Sequence, residues 1–403
     1  MNVAGWPGAH LTYCLNVHPG DAWAEQWGAI QECAAAVRRR VAPDARFGLG
    51  LRISDRASRE LADVRGQWPR IRDDLQAMGF YAFTVNAFPF GAFHGRRVKE
   101  QVYAPDWRTP ERRDYTVRVA EAMAALAPAG ASISSLPGSY KAWISGPEDR
   151  EAMIRNLAEV AAELQLIEAR CGRRLHVGLE PEPDCFLETT DECCAFFPEL
   201  VERGGAWLAA QRGWTRAEAE AAVRRHIGVC VDTCHLAVEF EDVSAGLRRL
   251  HDHGILISKV QLSAALACDA GAADELAAFA DPVYLHQVKV RAADGRVRGY
   301  PDLGAALEAR WKEGSRAGEE WRTHVHVPLY WTGGGSALHS TSDALSPAFF
   351  KALADTGVEH LEIETYTFNV LPEPLRRGGV VESIASEYAW VLDRMRAGAD
   401  QAP

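Results

Sequence analysis

Residues Val229–Val238 read VCVDTCHLAV, an apolar run that ends by placing Asp232, Thr233, Cys234 and His235 in consecutive positions. The preceding residues, IGVCV, have the length and β-branched content of a buried strand. Two readings fit its polar end. Asp232 and His235 can cap a following helix, or they can form the rim of a metal site. The stretch does not separate these readings alone. The answer depends on whether other strands bring matching ligands to the same place.

Outward from this run, short β-like segments alternate with amphipathic helical stretches, the order that builds a parallel sheet with crossover helices. The sequence predicts strands in LTYCLNV, FYAFTVNAF, ASISSLPG, LHVGLEPEP, IGVCVDTCH, GILISKVQLS, THVHVPLYW and HLEIETYTF. Helical patterns separate them, such as WAEQWGAIQECAAAVRRR behind the capping residue Asp21 and EDREAMIRNLAEVAAELQLIEARCG before LHVGL. Eight strands with helices between them make the expected fold an α/β (β/α)8 TIM barrel. Between the sixth and seventh strands, residues 283–300 read as two short runs around an Asp-Gly turn, a β-hairpin insertion. No linker marks a boundary, so residues 1–403 are expected to form one domain with elaborated loops and a flexible tail over 397–403.

The composition narrows the function. Fifty-five acidic residues against 44 Lys and Arg give a net charge of −11, a poor background for binding a phosphate backbone. Hydrophobic residues make up 47% and charged residues 25%, the mix of a soluble globular protein. The first 20 residues lack a signal-peptide pattern, and no apolar run is long enough for a membrane span. Nine cysteines without paired CxxC spacing suit reduced thiols. A cytoplasmic location is the expectation.

In such a barrel the C-terminal strand ends converge on one mouth. Glu180 and Glu182 end the fourth predicted strand, Asp232 the fifth and Gln261 the sixth. His324 and His326 lie on the seventh, Glu362 and Glu364 on the eighth. His18 and His94 follow the first two strands, and His286 lies in the hairpin. Residues two apart on a strand share a face, so both members of each pair point the same way. Glu180 and Glu364 are the favoured ligands of their pairs. His176 and His360 begin strands, at the stability end, and are set aside. A lone strand-end carboxylate is more often a cap, and a lone His326 more often a satisfied core histidine. Several carboxylates in one mouth would repel one another and raise their pKa values. A divalent Zn²⁺, Mn²⁺ or Fe²⁺ ion resolves that conflict.

These segments resemble the xylose-isomerase-like TIM barrel superfamily, which includes sugar epimerases and endonuclease IV. VDTCH is similar to its strand-five motif, GLEPEP to its strand-four Glu and LEIETY to its strand-eight Glu. The resemblance implies Glu180, Asp232, His235 and Glu364 as site residues. Blocks along nearly the whole chain (YCLNVHPGD, GLGLRIS, TVNAFPFGAFHG, VKEQVYAPDW and SSLPGSYK) look like the family of the metabolite traffic protein EboE. That family implies a role in moving or processing a metabolite, beside a membrane-associated prenyltransferase-like partner. One departure stands out. Sugar epimerases place a metal-binding His where this chain has Gln261, so His286 or His326 would have to replace it.

The expectation is a metal-dependent isomerase-, epimerase- or lyase/hydrolase-like enzyme acting on a small polar metabolite. Glu180, Asp232, His286 or His326, and Glu364 would hold the metal, with His235 completing the shell or holding substrate. Glu182 or Glu362 would carry protons. His18, His94, Lys141, Gln261 and Tyr330 are candidates for substrate contact. A non-catalytic carrier is the alternative, supported by Phe88, Phe90, Phe93, Tyr103, Trp107, Tyr330 and Trp331 as pocket-lining residues. An endonuclease IV-like activity on DNA would need surface charge that this acidic chain lacks.

Overall fold

A computed structural model of the chain describes residues 1–403 apart from 64, 96, 315, 334–336 and 400–403. Its strands, in chain order, are β1 (His10–Tyr13), β2 (Phe47–Arg52), β3 (Phe80–Asn86), β4 (Gly130–Ser135), β5 (Arg174–Leu179), β6 (Ile227–Asp232), β7 (Ile257–Leu262), β8 (Ala265–Asp269), β9 (Val288–Arg291), β10 (Val297–Tyr300), β11 (Glu320–His326), β12 (Leu338–Ser340) and β13 (His360–Ile363). Eight of them form a parallel sheet in the order β1-β13-β7-β6-β5-β4-β3-β2. A parallel bridge from Cys14 to Gly50 brings its two edges together. The Thr12 hydroxyl helps there, donating to Gly48 O and accepting from Gly50 N.

This is the expected barrel, with two corrections to its strand list. FGLGLR, now β2, was not among the predicted strands, because its glycines weaken the β signal. Those glycines are required by close approach. A Cβ on Gly50 would overlap the Glu362 carboxylate and lie 2.7 Å from Tyr13 O, and one on Gly48 would lie 2.5 Å from the Phe83 ring. The predicted seventh strand, THVHVPLYW, is not in the barrel. Its first half belongs to β11, in a separate antiparallel sheet of order β10-β9-β11-β8-β12. Alternating residues suit either kind of sheet, so periodicity alone does not place such a run. The segment expected as a hairpin contains β9 and β10, paired antiparallel around Asp294 and Gly295. The insertion between β7 and β13 is therefore larger than a hairpin. The last helix, Val380–Ala399, runs into the stretch expected to be a flexible tail, whose residues 400–403 lie outside those described.

Strand register sets the polar layer. Thr12 pairs with Glu362, Glu362 with Gln261 and Gln261 with Asp232 across four adjacent strands. One step toward the closed end, Lys259 lies beside Cys230. Lys259 is fully buried and donates to Glu362 and, at 3.3 Å, to Thr84. At that end His176 and His360 stack 5.5 Å apart, remote from the mouth as expected.

Candidate metal centre

Asp232 caps a helix with one oxygen and leaves the other free, so its geometry is compatible with both readings of VDTCH. It caps the helix Thr233–Val238, Oδ1 accepting from Cys234 N at 2.7 Å, His235 N at 3.1 Å and the Ser263 hydroxyl at 2.6 Å. Oδ2 is buried with no hydrogen-bond partner among the described residues, as are Glu180 Oε2 and His326 Nε2. Such orphaned atoms are costly inside a protein unless something else occupies them.

The orphans converge. Ligand atoms of Glu180, Asp232 and Glu364 lie within 4.8 Å of one another, as do those of Asp232, His235 and His326. Glu180 follows β5 directly, Asp232 ends β6 and Glu364 follows β13, so three strand ends deliver the carboxylates. His326 comes from the inserted sheet. Its Nδ1 lies 2.8 Å from Glu364 O, which fixes that nitrogen as the donor and leaves Nε2 as a lone pair beside Asp232. Asn16 donates to Glu364 Oε1 at 2.5 Å, and Asn86 at 3.4 Å.

The electrostatics match the crowding. Burial, then the neighbouring Glu364 and Asp232, push Glu180 well above the usual carboxylate range. Burial and Asp232 do the same to Glu364. Asp232 is also opposed by burial, yet His235, His326 and its hydrogen bonds hold it below its ordinary value. Burial lowers His326 to about 4 and His324 well below the imidazole range.

A cavity opens above the cluster, walled by Glu180, Glu182, His235, His324 and Glu364 on its polar side. Phe88, Phe93, Tyr103, Tyr284 and Tyr366 supply the apolar side. Glu182 accepts from Tyr103 Oη at 2.7 Å, and burial raises its pKa. Lys99 reaches the wall, but its ammonium is engaged by Asp302 at 2.7 Å and by the Tyr284 carbonyl at 2.6 Å.

Several expected site residues lie elsewhere. His286 is turned away from the cluster, with Nε2 on Asp281 and Nδ1 2.9 Å from His324 O, so both its nitrogens are engaged. Glu362 does not face the cavity and instead pairs with Lys259 in the barrel interior. Gln261 is fully buried, its Oε1 2.9 Å from Cys230 Sγ. Lys141 pairs with Glu188 and Glu192 on the surface. Tyr330 is 38% exposed and bonded to Ser383. His18 contacts Tyr13 Oη at 3.0 Å, outside the cavity. His94 sits behind the wall, 2.6 Å from Asn16 O and 2.7 Å from Tyr284 Oη, and so braces the asparagine that holds Glu364. Among the suggested aromatic residues, Phe88, Phe93 and Tyr103 line the cavity, while Trp107 is core and donates to Leu136 O. Sequence reasoning missed Asn16, Asn86 and Lys259, and passed over His324. The spacing of His324 and His326 was the available signal.

No protein-family model matches the chain, and no curated protein matches it. Solved structures do. An L-ribulose 3-epimerase superimposes with a TM-score of 0.51 at 12% identity, over 98% of this chain and 96% of that one. A xylose isomerase-like TIM barrel protein from Mycobacterium smegmatis, in complex with magnesium, gives 0.51 at 11% identity, over 99% and 100%. The fold is that of the xylose-isomerase-like TIM barrels. No helix among the described residues is long and apolar enough to cross a membrane.

Proposed function

We propose that the chain is a divalent-metal-dependent enzyme, isomerase- or epimerase-like, acting on a small polar metabolite at the barrel mouth. On this reading it is an EboE-type metabolite-processing protein, as the sequence blocks suggest. One observation carries it: Glu180 Oε2, Asp232 Oδ2 and His326 Nε2 are buried without hydrogen-bond partners among the described residues, and Asp232 is shared between a Glu180–Asp232–Glu364 group and an Asp232–His235–His326 group. Two glutamates, an aspartate and an imidazole suit Zn²⁺, Mn²⁺ or Fe²⁺. A bound ion would supply Lewis-acid polarisation of substrate oxygens. The chain's own residues do the rest. Glu182, oriented by Tyr103 and raised by burial, is placed to pass a proton to or from a molecule in the cavity. Asn16 and Asn86 hold Glu364 in position, and aromatic residues form the apolar wall of the cavity.

The test is metal content in protein purified without chelator, beside Glu180→Ala and Asp232→Ala. Near-stoichiometric metal in the parent and its loss in both variants is the expected result. A folded parent that takes up none of Zn²⁺, Mn²⁺ or Fe²⁺ would refute the reading. A carrier role is the second reading, favoured by the aromatic wall. It would show as metal and ligand bound with no turnover of any metabolite that binds.

A further inference from the structure

We infer that Glu387, on the last helix, is a positioning residue for the metal centre, tying the segment that carries Glu364 to the segment that carries His326. This rests on the metal-centre reading, but Glu387 bonds to neither ligand side chain, so the two can fail separately.

The two ligands reach the mouth from different sheets. Glu364 follows β13 in the barrel, and His326 ends β11 in the inserted sheet. Among the described residues β13 pairs with β1 and β7, and β11 with β8 and β9, so no ladder joins the two. Bonds outside the ladders do this instead. His326 Nδ1 donates to Glu364 O at 2.8 Å, and the Thr367 hydroxyl donates to His326 O at 2.6 Å. Glu387 adds a bond to each segment from a third element. Its Oε1 accepts from the Thr365 hydroxyl at 2.7 Å and from Leu329 N at 3.1 Å. Thr365 is the neighbour of Glu364, and Leu329 lies three residues after His326. A single oxygen therefore holds both segments to one point.

A carboxyl is an unfavourable group to bury here. Glu387 is 1% exposed, and burial pushes its pKa up to about 7, against the pull of its two hydrogen bonds. An apolar side chain would pack under the helix without that cost. It would, however, leave a hydroxyl and an amide unpaired and the two segments untied. The same helix supplies an internal comparison. Ser383, one turn before Glu387, meets the Tyr330 hydroxyl at 3.1 Å. That contact anchors the helix to the chain after His326 but involves neither Thr365 nor Glu364. Docking of the helix and placement of the ligands therefore rest on different side chains.

Titration of metal-free protein with Co²⁺, read by calorimetry and by ligand-field absorption, tests this. Glu387→Leu is expected to weaken Co²⁺ binding by about 10–100-fold, the usual effect of losing a group that orients a ligand, and to change the absorption. Glu387→Gln keeps an acceptor oxygen and is expected to restore both. Ser383→Ala, which loosens the helix alone, is expected to bind as the parent does. Parent-like affinity and absorption in folded Glu387→Leu would overturn the inference, and so would equal weakening in Ser383→Ala. If Glu387→Leu does not fold, Thr365→Val takes its place, with the same two outcomes. A parent that takes up no cation would refute the metal centre, and crystal structures of the metal-free chain then decide. Loss of the contact between His326 Nδ1 and Glu364 O in the variant supports the inference, and its persistence overturns it.

Discussion

The two oxygens of Asp232 face different partners, Oδ1 the helix N-terminus and Oδ2 the ligand cluster. Substitutions should separate the two roles. Asparagine keeps an oxygen for the cap but puts an amide where the free carboxylate oxygen was, whereas alanine removes both. Asp232→Asn is therefore expected to lose metal yet remain about 1 kcal/mol more stable than Asp232→Ala, the usual worth of an N-cap. Urea melts of the metal-free variants measure the difference. Equal stability would mean that the cap contributes nothing and that the conformation of VDTCH is imposed by its surroundings.

At the scale of elements, the contact that crosses β7 and β13 is the Lys259–Glu362 pair, with both side chains fully buried. Removing one partner strands the other charge. Lys259→Met is expected to cost about 3–5 kcal/mol, and the double variant with Glu362→Leu to recover most of it, as read from denaturant midpoints. Additive losses would mean that the residues matter for packing alone. This pair also shows what the sequence did not display. Strand-end placement made Glu180, Asp232 and Glu364 legible, because position along a strand fixes proximity to the mouth. Lys259 sits mid-strand in SKVQL, and nothing in that run says it is buried or paired. FGLGLR was obscure because its glycines answer to Glu362 and Phe83, which come from distant parts of the chain. His324 and His326 were visible as an alternating pair, but the sheet holding them is antiparallel and depends on pairing with β8 and β9.

Across the whole molecule, acid should act through the buried imidazoles, two of which sit at the closed end of the barrel. Burial holds His360 at about 3 and His176 well below the ordinary imidazole value. The unfolded chain takes up protons near pH 6.5 while these folded rings do not, so stability is greatest above pH 6.5 and declines as pH falls below it. Each such ring contributes about 1.4 kcal/mol per pH unit across that window. Thermal melts between pH 7 and pH 5 are expected to fall less steeply for His360→Phe than for the parent, and parallel slopes would place the acid sensitivity elsewhere. The inserted sheet carries a different consequence. His324 and His326 reach the barrel mouth from β11, a strand of another sheet, so an ion held there would rivet two units together. Opening the insertion would then require releasing the ion, and by mass action free cation at about 100 times its dissociation constant would add about 2.7 kcal/mol to that opening. Amide exchange in β8, β9 and β11 would therefore slow with cation concentration, making the insertion a reporter of metal supply.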